Sequence, residues 1–283
     1  MRIILLITLT MIAFAGNSVF ARLGLNTQNA IDPASYSLIR LVSGAFVLTI
    51  FVSYKHNFSK EALNKGNWIS GAALFGYAAA FSFAYVNLET GLGALILFSC
   101  VQGTMIGWAL IQGERPIALE WLGLIIAFGA FVWLVSPGLE APDPFAAGLM
   151  VLSGIAWGIY SIKGKHATDA LAATTGNFIL SVPFAVLLIA LTYSQVNLDT
   201  FGIIMAIGSG ALTSALGYAL WYNVLTKITQ TQAAIVQLSV PIIAGIGGAL
   251  FSGEAWTMRF IISSILILGG VSIAILAKSK KAS

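Results

Sequence analysis

Residues Gln232–Glu254 read QAAIVQLSVPIIAGIGGALFSGE. The stretch is apolar, carries Pro241 near its middle and Gln237 one helical turn before it, and ends in Gly253-Glu254. An earlier stretch, Leu92–Glu114, reads LGALILFSCVQGTMIGWALIQGE. Aligning the two Gly-Glu pairs sets Ala94 on Ala234 and Gly113 on Gly253. One helix and its stop are written twice, and the chain is organised around that repetition.

Of the 283 residues, 58% are hydrophobic and 8% charged, whereas soluble domains run near 25% charged. The mean hydropathy is +0.93. Apolar surface on this scale calls for lipid as the solvent. The net charge of +4 then reports sidedness, and no nucleic-acid partner is expected. The single cysteine, Cys100, lies inside an apolar run, so neither a disulfide framework nor a cysteine-based metal site is available. The chain has no Walker loop, no HExxH and no Ser/His/Asp constellation. Catalysis is not expected, nor is any cofactor or metal.

A membrane-crossing helix takes about 20 apolar residues. Ten segments qualify: Ile3–Ala21, Ala34–Tyr54, Trp68–Val86, Leu92–Ile111, Leu119–Val135, Phe145–Ile162, Leu171–Leu191, Phe201–Leu225, Gln232–Phe251 and Phe260–Ala277. The fold class is therefore an all-α, polytopic membrane protein of ten transmembrane helices. Turn chemistry marks the breaks, at Asp32-Pro33, Asn57–Lys60, Glu89–Gly91, Gly113–Pro116, Pro137-Gly138 and Ala141–Pro144. The first segment ends in Val19-Phe20-Ala21, which imitates a signal-peptidase site. Cleavage there would destroy the repeat, so the segment is expected to stay.

With a cytoplasmic N-terminus, Arg2, Lys55, Lys60, Lys65, Arg115, Lys163, Lys165, Lys227, Lys278, Lys280 and Lys281 fall inside. Only Arg22 and Arg259 fall outside, and Arg40 lies within a helix. This bias predicts both termini in the cytoplasm of a bacterial inner-membrane protein.

Ile12-Ala13-Phe14 matches Ile155-Ala156-Trp157, and Tyr85 matches Tyr222. The halves, residues 1–137 and 143–283, then hold five helices each. Five is odd, so the second half starts on the opposite side and the repeats are inverted. Charge agrees, with Glu114 inside and Glu254 outside. Inverted repeats are a recurrent plan of secondary transporters, because exchanging the conformations of the halves turns an inward-open cavity into an outward-open one.

Through these repeats, Ile155-Ala156-Trp157-Gly158, Pro241 and the two Gly-Glu stops, the chain resembles the drug/metabolite transporter superfamily, specifically its ten-helix EamA-type permeases. The resemblance covers nearly the whole chain. It departs at Val101, where the family usually has a proline like Pro241, and at Phe14-Ala15, where it often has Trp-Gly. It implies a central cavity lined by the first, third, fourth, sixth, eighth and ninth helices, with the fifth and tenth peripheral. It also implies transport of small metabolites, often amino acids, and leans to export.

Polar groups within a bilayer face the bundle interior and are functional by default. Arg40 is the strongest candidate. Its planar fork suits a substrate carboxylate, and the competing reading is snorkelling to the interface. Gln102 and Gln237 sit mid-membrane and suit a neutral or zwitterionic ligand, or else join helices. Pro241 crowds the carbonyl of Gln237, which predicts a kink and a hinge. Asn17 is similar, with Asn177 a weaker case. Trp157 with Tyr160, and Tyr77 with Phe81 and Tyr85, form aromatic faces that line a cavity or fill a core. Ser214, Tyr218 and Tyr222 form another such stripe. Gly103 with Gly107, and Gly245 with Gly248, predict close helix contacts.

No Asp or Glu lies in the middle of a segment, so a proton relay has no carrier besides Glu89 or Glu254 at an edge. Facilitated exchange is the simpler mechanism. The expected protein is an alternating-access transporter, monomer or homodimer, for a small amphipathic metabolite such as an amino acid. Its predicted lining is Asn17, Arg40, Tyr77, Gln102, Trp157, Tyr160 and Gln237. The rivals are a permease for cationic or aromatic drugs and a non-transporting membrane scaffold or lipid-handling protein.

Overall fold

The computed structural model describes residues 2–26, 30–56, 65–113, 116–138, 141–164, 167–225 and 236–282. Several expectations lie outside them: the break at Asn57–Lys60, the start of the ninth helix at Gln232, Glu114, the cations Lys60, Arg115, Lys165 and Lys227, and the side chain of Tyr222.

Ten helices follow one another with no strand among the described residues. They are α1 (Arg2–Leu25), α2 (Pro33–Lys55), α3 (Trp68–Ala84), α4 (Thr90–Ile111), α5 (Ala118–Val135), α6 (Pro144–Gly164), α7 (Ala170–Leu191), α8, α9 (Val240–Ser252) and α10 (Met258–Ala282). The eighth runs through three segments: α-helical Thr200–Ile207, π-helical Gly208–Leu216 and α-helical Gly217–Leu225. Seven helices are long and apolar enough to cross a membrane, and α3, the Thr200–Leu216 part of α8, and α9 are shorter apolar ones. Large apolar side chains such as Leu122, Ile125 and Phe128 of α5 and Ile265 of α10 stand exposed on the outer surface, as a lipid solvent requires.

Side-chain caps start most helices, because the first N–H groups of a helix lack internal partners. Asp32 accepts from Ser35 N at 2.9 Å, Asn67 from Ile69 N at 2.9 Å, Asp143 from Ala146 N at 2.7 Å, Asp169 from Ala172 N at 3.1 Å and Asp199 from Gly202 N at 2.9 Å. The two expected stops are present in backbone form. Gly113 and Gly253 hold φ of 89° and 67°, the left-handed turn that glycine adopts without strain.

Two elements differ from the sequence reading. The eighth helix is not a plain α-helix but widens through Gly208–Leu216. The ninth, expected to kink at Gln237–Pro241, is interrupted within that stretch instead of bending as one continuous helix. A turn at Leu238-Ser239 interrupts it, and Pro241 stands in the first turn of α9, where a missing N–H breaks no internal bond.

The principal packing pairs are α3 on α6 and α8 on α1, α4 on α6 and α9 on α1, α2 on α8 and α7 on α3, and the self-paired α2–α7, α4–α9 and α5–α10. This set is unchanged when every helix is replaced by the one five places on, counted cyclically. The α5–α10 contact repeats the rule at atomic scale. A Cβ on Gly123 would come 2.8 Å from Ala274 N, and one on Gly270 would come 2.8 Å from Ala127 N.

The predicted Gly103/Gly107 contact does not form, since a Cβ on either would meet nothing within 4 Å. The fourth and sixth helices instead approach through Gly154, against Cys100, and Gly158, against Thr104. The glycines sit on the helix that must come close, and α4 supplies the partners with side chains.

Candidate functional site

Arg40 lies on α2 and is 3% exposed. Its place is fixed by close backbone packing, for Gly210 of α8 abuts the Arg40 carbonyl. The side chain does not snorkel to the surface. Its Nη2 donates to the Tyr77 hydroxyl of α3 at 2.8 Å, and its guanidinium lies 5.0 Å from the Tyr77 ring centre and 4.7 Å from that of Phe81. Such cation–π contacts partly replace lost hydration.

From Tyr77 the aromatic side chains continue inward. Trp157 of α6 is 4.8 Å from Tyr77, 5.2 Å from Tyr160 and 5.3 Å from Tyr218 of α8, ring centre to ring centre. Phe178 of α7 and Phe14 of α1 close on Tyr218 at 6.1 and 6.0 Å. Tyr77, Tyr160 and Tyr218 are buried. The rings expected to line a cavity are thus packed on one another, with Arg40 against Tyr77 and Phe81 at one side.

Asn17 of α1 belongs to a neighbouring cluster. Its Oδ1 accepts from Ser209 at 2.9 Å, Thr213 at 2.6 Å and Ser214 at 3.1 Å. All three hydroxyls come from the π-helical segment, whose wider turn brings them to one point. A carbonyl oxygen with three donors has little capacity left for a ligand. Through this oxygen Asn17 joins α1 to α8. Ser209 and Thr213 were not singled out in the sequence, because apolar periodicity does not reveal a π turn.

Gln102 is buried on α4 and makes no hydrogen bond among the described residues. Gln237 is half-buried at the interruption before α9 and has an interaction partner. The structure thus brings together Arg40, Tyr77, Trp157 and Tyr160, while Asn17 belongs to the neighbouring hydroxyl cluster.

The sequence reading gave no pairing to the charges at the helix ends. Arg22 of α1 pairs with Glu254 at 2.9 Å, with side chains 12% and 9% exposed. Its Nη1 also donates to the carbonyls of Tyr85 at 3.3 Å and Val86 at 3.0 Å. Glu254 Oε2 accepts from Thr90 N at 2.8 Å. Glu89, the residue preceding α4, makes no side-chain cap, so Glu254 caps that helix from the far half of the chain, where the helix dipole also favours a carboxylate. Glu89 lies beside them and lines a cavity of about 320 Å³ with Asp143 and Arg259. Burial, and then the nearby Glu254 carboxylate, push the Glu89 carboxyl above its ordinary value against the pull of Arg22.

The opposite end of α2 carries a looser set. Lys55 Nζ is 3.5 Å from Asp169 Oδ2, and His56 Nε2 is 2.8 Å from it without hydrogen-bond geometry. Burial opposes ionisation of Asp169, but the Ala172 N–H and the charges of Lys55 and His56 outweigh it and hold the carboxyl below its ordinary value. Opposite charges assigned to one face, as Arg22 and Glu254 were, are the signal that would have found the first pair.

Comparison with known proteins agrees with this architecture. The profile of the EamA-like transporter family matches residues 144–276. An uncharacterized protein of Pseudomonas aeruginosa is 44% identical over 96% of this chain and 94% of its own length. The threonine/homoserine exporter RhtA of Escherichia coli is 23% identical over 89% of this chain and 84% of its own. A protein crystal structure, 17% identical, covers 96% of this chain and 99% of that chain with a TM-score of 0.64, a likeness of fold.

Proposed function

Because the chain belongs to the EamA-like transporter family, we propose that this multi-pass membrane protein is a secondary transporter that exports a small amphipathic metabolite by alternating access. The observation that carries the mechanism is the packing scheme that maps onto itself when helices are shifted by five. Two five-helix repeats, residues 1–137 and 143–283, inserted in opposite senses, account for it. Exchange of conformations between such halves would open first one end and then the other. The Arg22–Glu254 pair links a helix of each repeat at one end, and Lys55–Asp169 does so at the other. Arg40 and the rings around Trp157 lie between these ends.

The substrate class follows from the same core and from the printed function of the distant relative RhtA, a threonine/homoserine exporter. One buried cation among aromatic faces suits an amino acid or a related solute. Charge bias supports a cytoplasmic Lys55 end and cytoplasmic termini, with the Arg22 end outside. The test is counterflow in proteoliposomes preloaded with one unlabelled amino acid at a time. Labelled amino acid should accumulate above protein-free vesicles for at least one of the twenty, and Trp157→Ala should stop it while the protein stays folded. Vesicles that show no flux of any amino acid, amine or organic acid would sink the reading in favour of a non-transporting membrane protein.

A further inference from the structure

Two polar atoms on one face of α2 are buried without a hydrogen-bond partner among the described residues. They are Nη1 of Arg40 and the hydroxyl of Tyr36. Tyr36 is 0% exposed and Arg40 3%. They stand four residues apart, which sets their side chains one above the other on a helix, and Tyr36 lies within electrostatic reach of the guanidinium. Most buried polar groups are paired, and each exception asks for a reason. An unpaired buried donor is costly, and more so when charged.

Charge sharpens the point. No acidic side chain among the described residues pairs with Arg40. Its neighbours are neutral: Tyr77, Phe81, Tyr36 and Tyr218. Among the described residues the core therefore holds one positive charge without an acidic partner and, four residues apart on α2, two donors without a hydrogen bond of ordinary geometry. The group that satisfies both is an oxyanion. A carboxylate has the planar pair of oxygens that matches a guanidinium edge, with a lone pair left for a phenol O–H.

We infer that Arg40 and Tyr36 form the headgroup site of the transported solute, and that the group they take is a carboxylate. This rests on the transporter reading and narrows it. The carboxylate is the required feature of the substrate, and an ammonium group is dispensable. A net monoanion compensates the buried cation fully, whereas a zwitterion brings its own positive charge into a core whose only counterparts are aromatic faces. Tyr77 is a positioning residue here, because its hydroxyl engages Nη2 and leaves Nη1 for the ligand.

The experiment is a thermal-shift titration of the full-length protein in detergent with three matched sets. The first is the twenty amino acids, the second the same carbon skeletons as carboxylic acids without the amino group, and the third their decarboxylated amines and methyl esters. A ligand that binds only the folded state raises the unfolding temperature. Stabilisation is expected from members of the first two sets and from none of the third. Tyr36→Phe removes an oxygen that makes no hydrogen bond of ordinary geometry and has the Ser209 hydroxyl as its polar neighbour, so the ligand-free protein should unfold at nearly the same temperature. Its affinity for the acids should fall about tenfold or more, the loss of a hydrogen bond to a charged group. Arg40→Lys keeps a charge but loses the fork, and should weaken the acids roughly as much without creating affinity for the amines.

Amines or esters that stabilise as strongly as acids would overturn the assignment. So would acids that bind Tyr36→Phe and Arg40→Lys as well as they bind the parent, or a failure of every acid to stabilise the parent. Counterflow separates this from the wider reading. Flux of a compound lacking a carboxylate removes the headgroup site and leaves the transporter intact. Carboxylate binding without flux of any solute does the reverse.

Discussion

At one end of the bundle Arg22 and Glu254 pair at 2.9 Å with side chains 12% and 9% exposed, while at the other Lys55 reaches Asp169 at 3.5 Å with 54% and 17% exposed. The first pair is surrounded by further bonds, to the carbonyls of Tyr85 and Val86 and to the amide of Thr90. In the second, Lys55 stands largely in solvent, while Asp169 is partly buried and also accepts from the Ala172 amide. Exposed pairs contribute about 0–1 kcal/mol, but removing one partner of a buried pair leaves a charge without compensation. The two ends therefore part at different cost. The Lys55 end can separate with little loss, whereas the Arg22 end separates only if several bonds go together. In the proposed alternating-access cycle that difference would bias the empty protein toward closure at the Arg22 end.

The sharpest way to break the comparison is Arg22→Ala. Glu254 would stay buried with the Thr90 amide as its remaining hydrogen-bond donor, and about 3–5 kcal/mol of stability should be lost. Glu254→Ala should cost a similar amount. The double variant should be less destabilised than the sum, since the interaction is lost only once. Thermal unfolding of the four proteins in detergent measures this. Additive losses would mean that the pair does not act as a unit.

Much of this arrangement was legible in the chain, and the residues show where legibility stops. Hydropathy located most of the ten helices to within a few residues, because lipid demands long apolar runs, while the ninth, expected from Gln232, has its α9 segment begin at Val240. Asp32 and Asp143 fall at breaks that the sequence marks, and Gly113 and Gly253 at its stops, since caps and left-handed turns are local chemistry. The sequence also named Arg40, Tyr77, Trp157 and Tyr160 one by one, and the structure brings them into contact. What it did not disclose depends on the pairing of distant segments. Glu254 caps a helix 164 residues away. Asn17 is engaged by hydroxyls about as remote, on a π segment that leaves no mark in apolar spacing. Tyr36 looked like an ordinary aromatic residue near a helix start, and only its lack of a partner singles it out.

Glycine packing offers a gentler probe of the Arg22 end. A Cβ on Gly91 would lie 2.7 Å from the Cα of Gly245, so α4 and α9 touch backbone to backbone there. Gly91→Ala should force them apart and cost about 1–3 kcal/mol. It should also raise access of a water-soluble thiol reagent to a cysteine placed at Val86, in a background where Cys100 is replaced. Gly103→Ala on the same helix is the control. A Cβ there meets open space, so the change should be neutral or stabilising by up to about 1 kcal/mol through helix propensity. Equal effects from the two would deny any special closeness at the Arg22 end.

The smallest effects distinguish the ends by sign. Asp169 holds its proton less tightly in the folded chain than in the unfolded one. Its contribution is therefore present above the ordinary aspartate value, about 3.9, and is lost as pH falls below it. Asp169→Asn should be slightly less stable than the parent at neutral pH, by no more than about 1 kcal/mol, and the gap should close in acid. Glu89 is the opposite case. Its carboxyl is raised by burial and by Glu254, so the folded chain holds the proton more tightly, and stability is lost as pH rises above the ordinary glutamate value, about 4.3. Glu89→Gln removes that penalty and should be more stable than the parent at neutral pH, with the gap again closing in acid. Unfolding temperatures recorded from pH 3 to 7 should thus place one variant below the parent and the other above it. If both fall on the same side, the charges at the two ends do not differ in the way their burial implies.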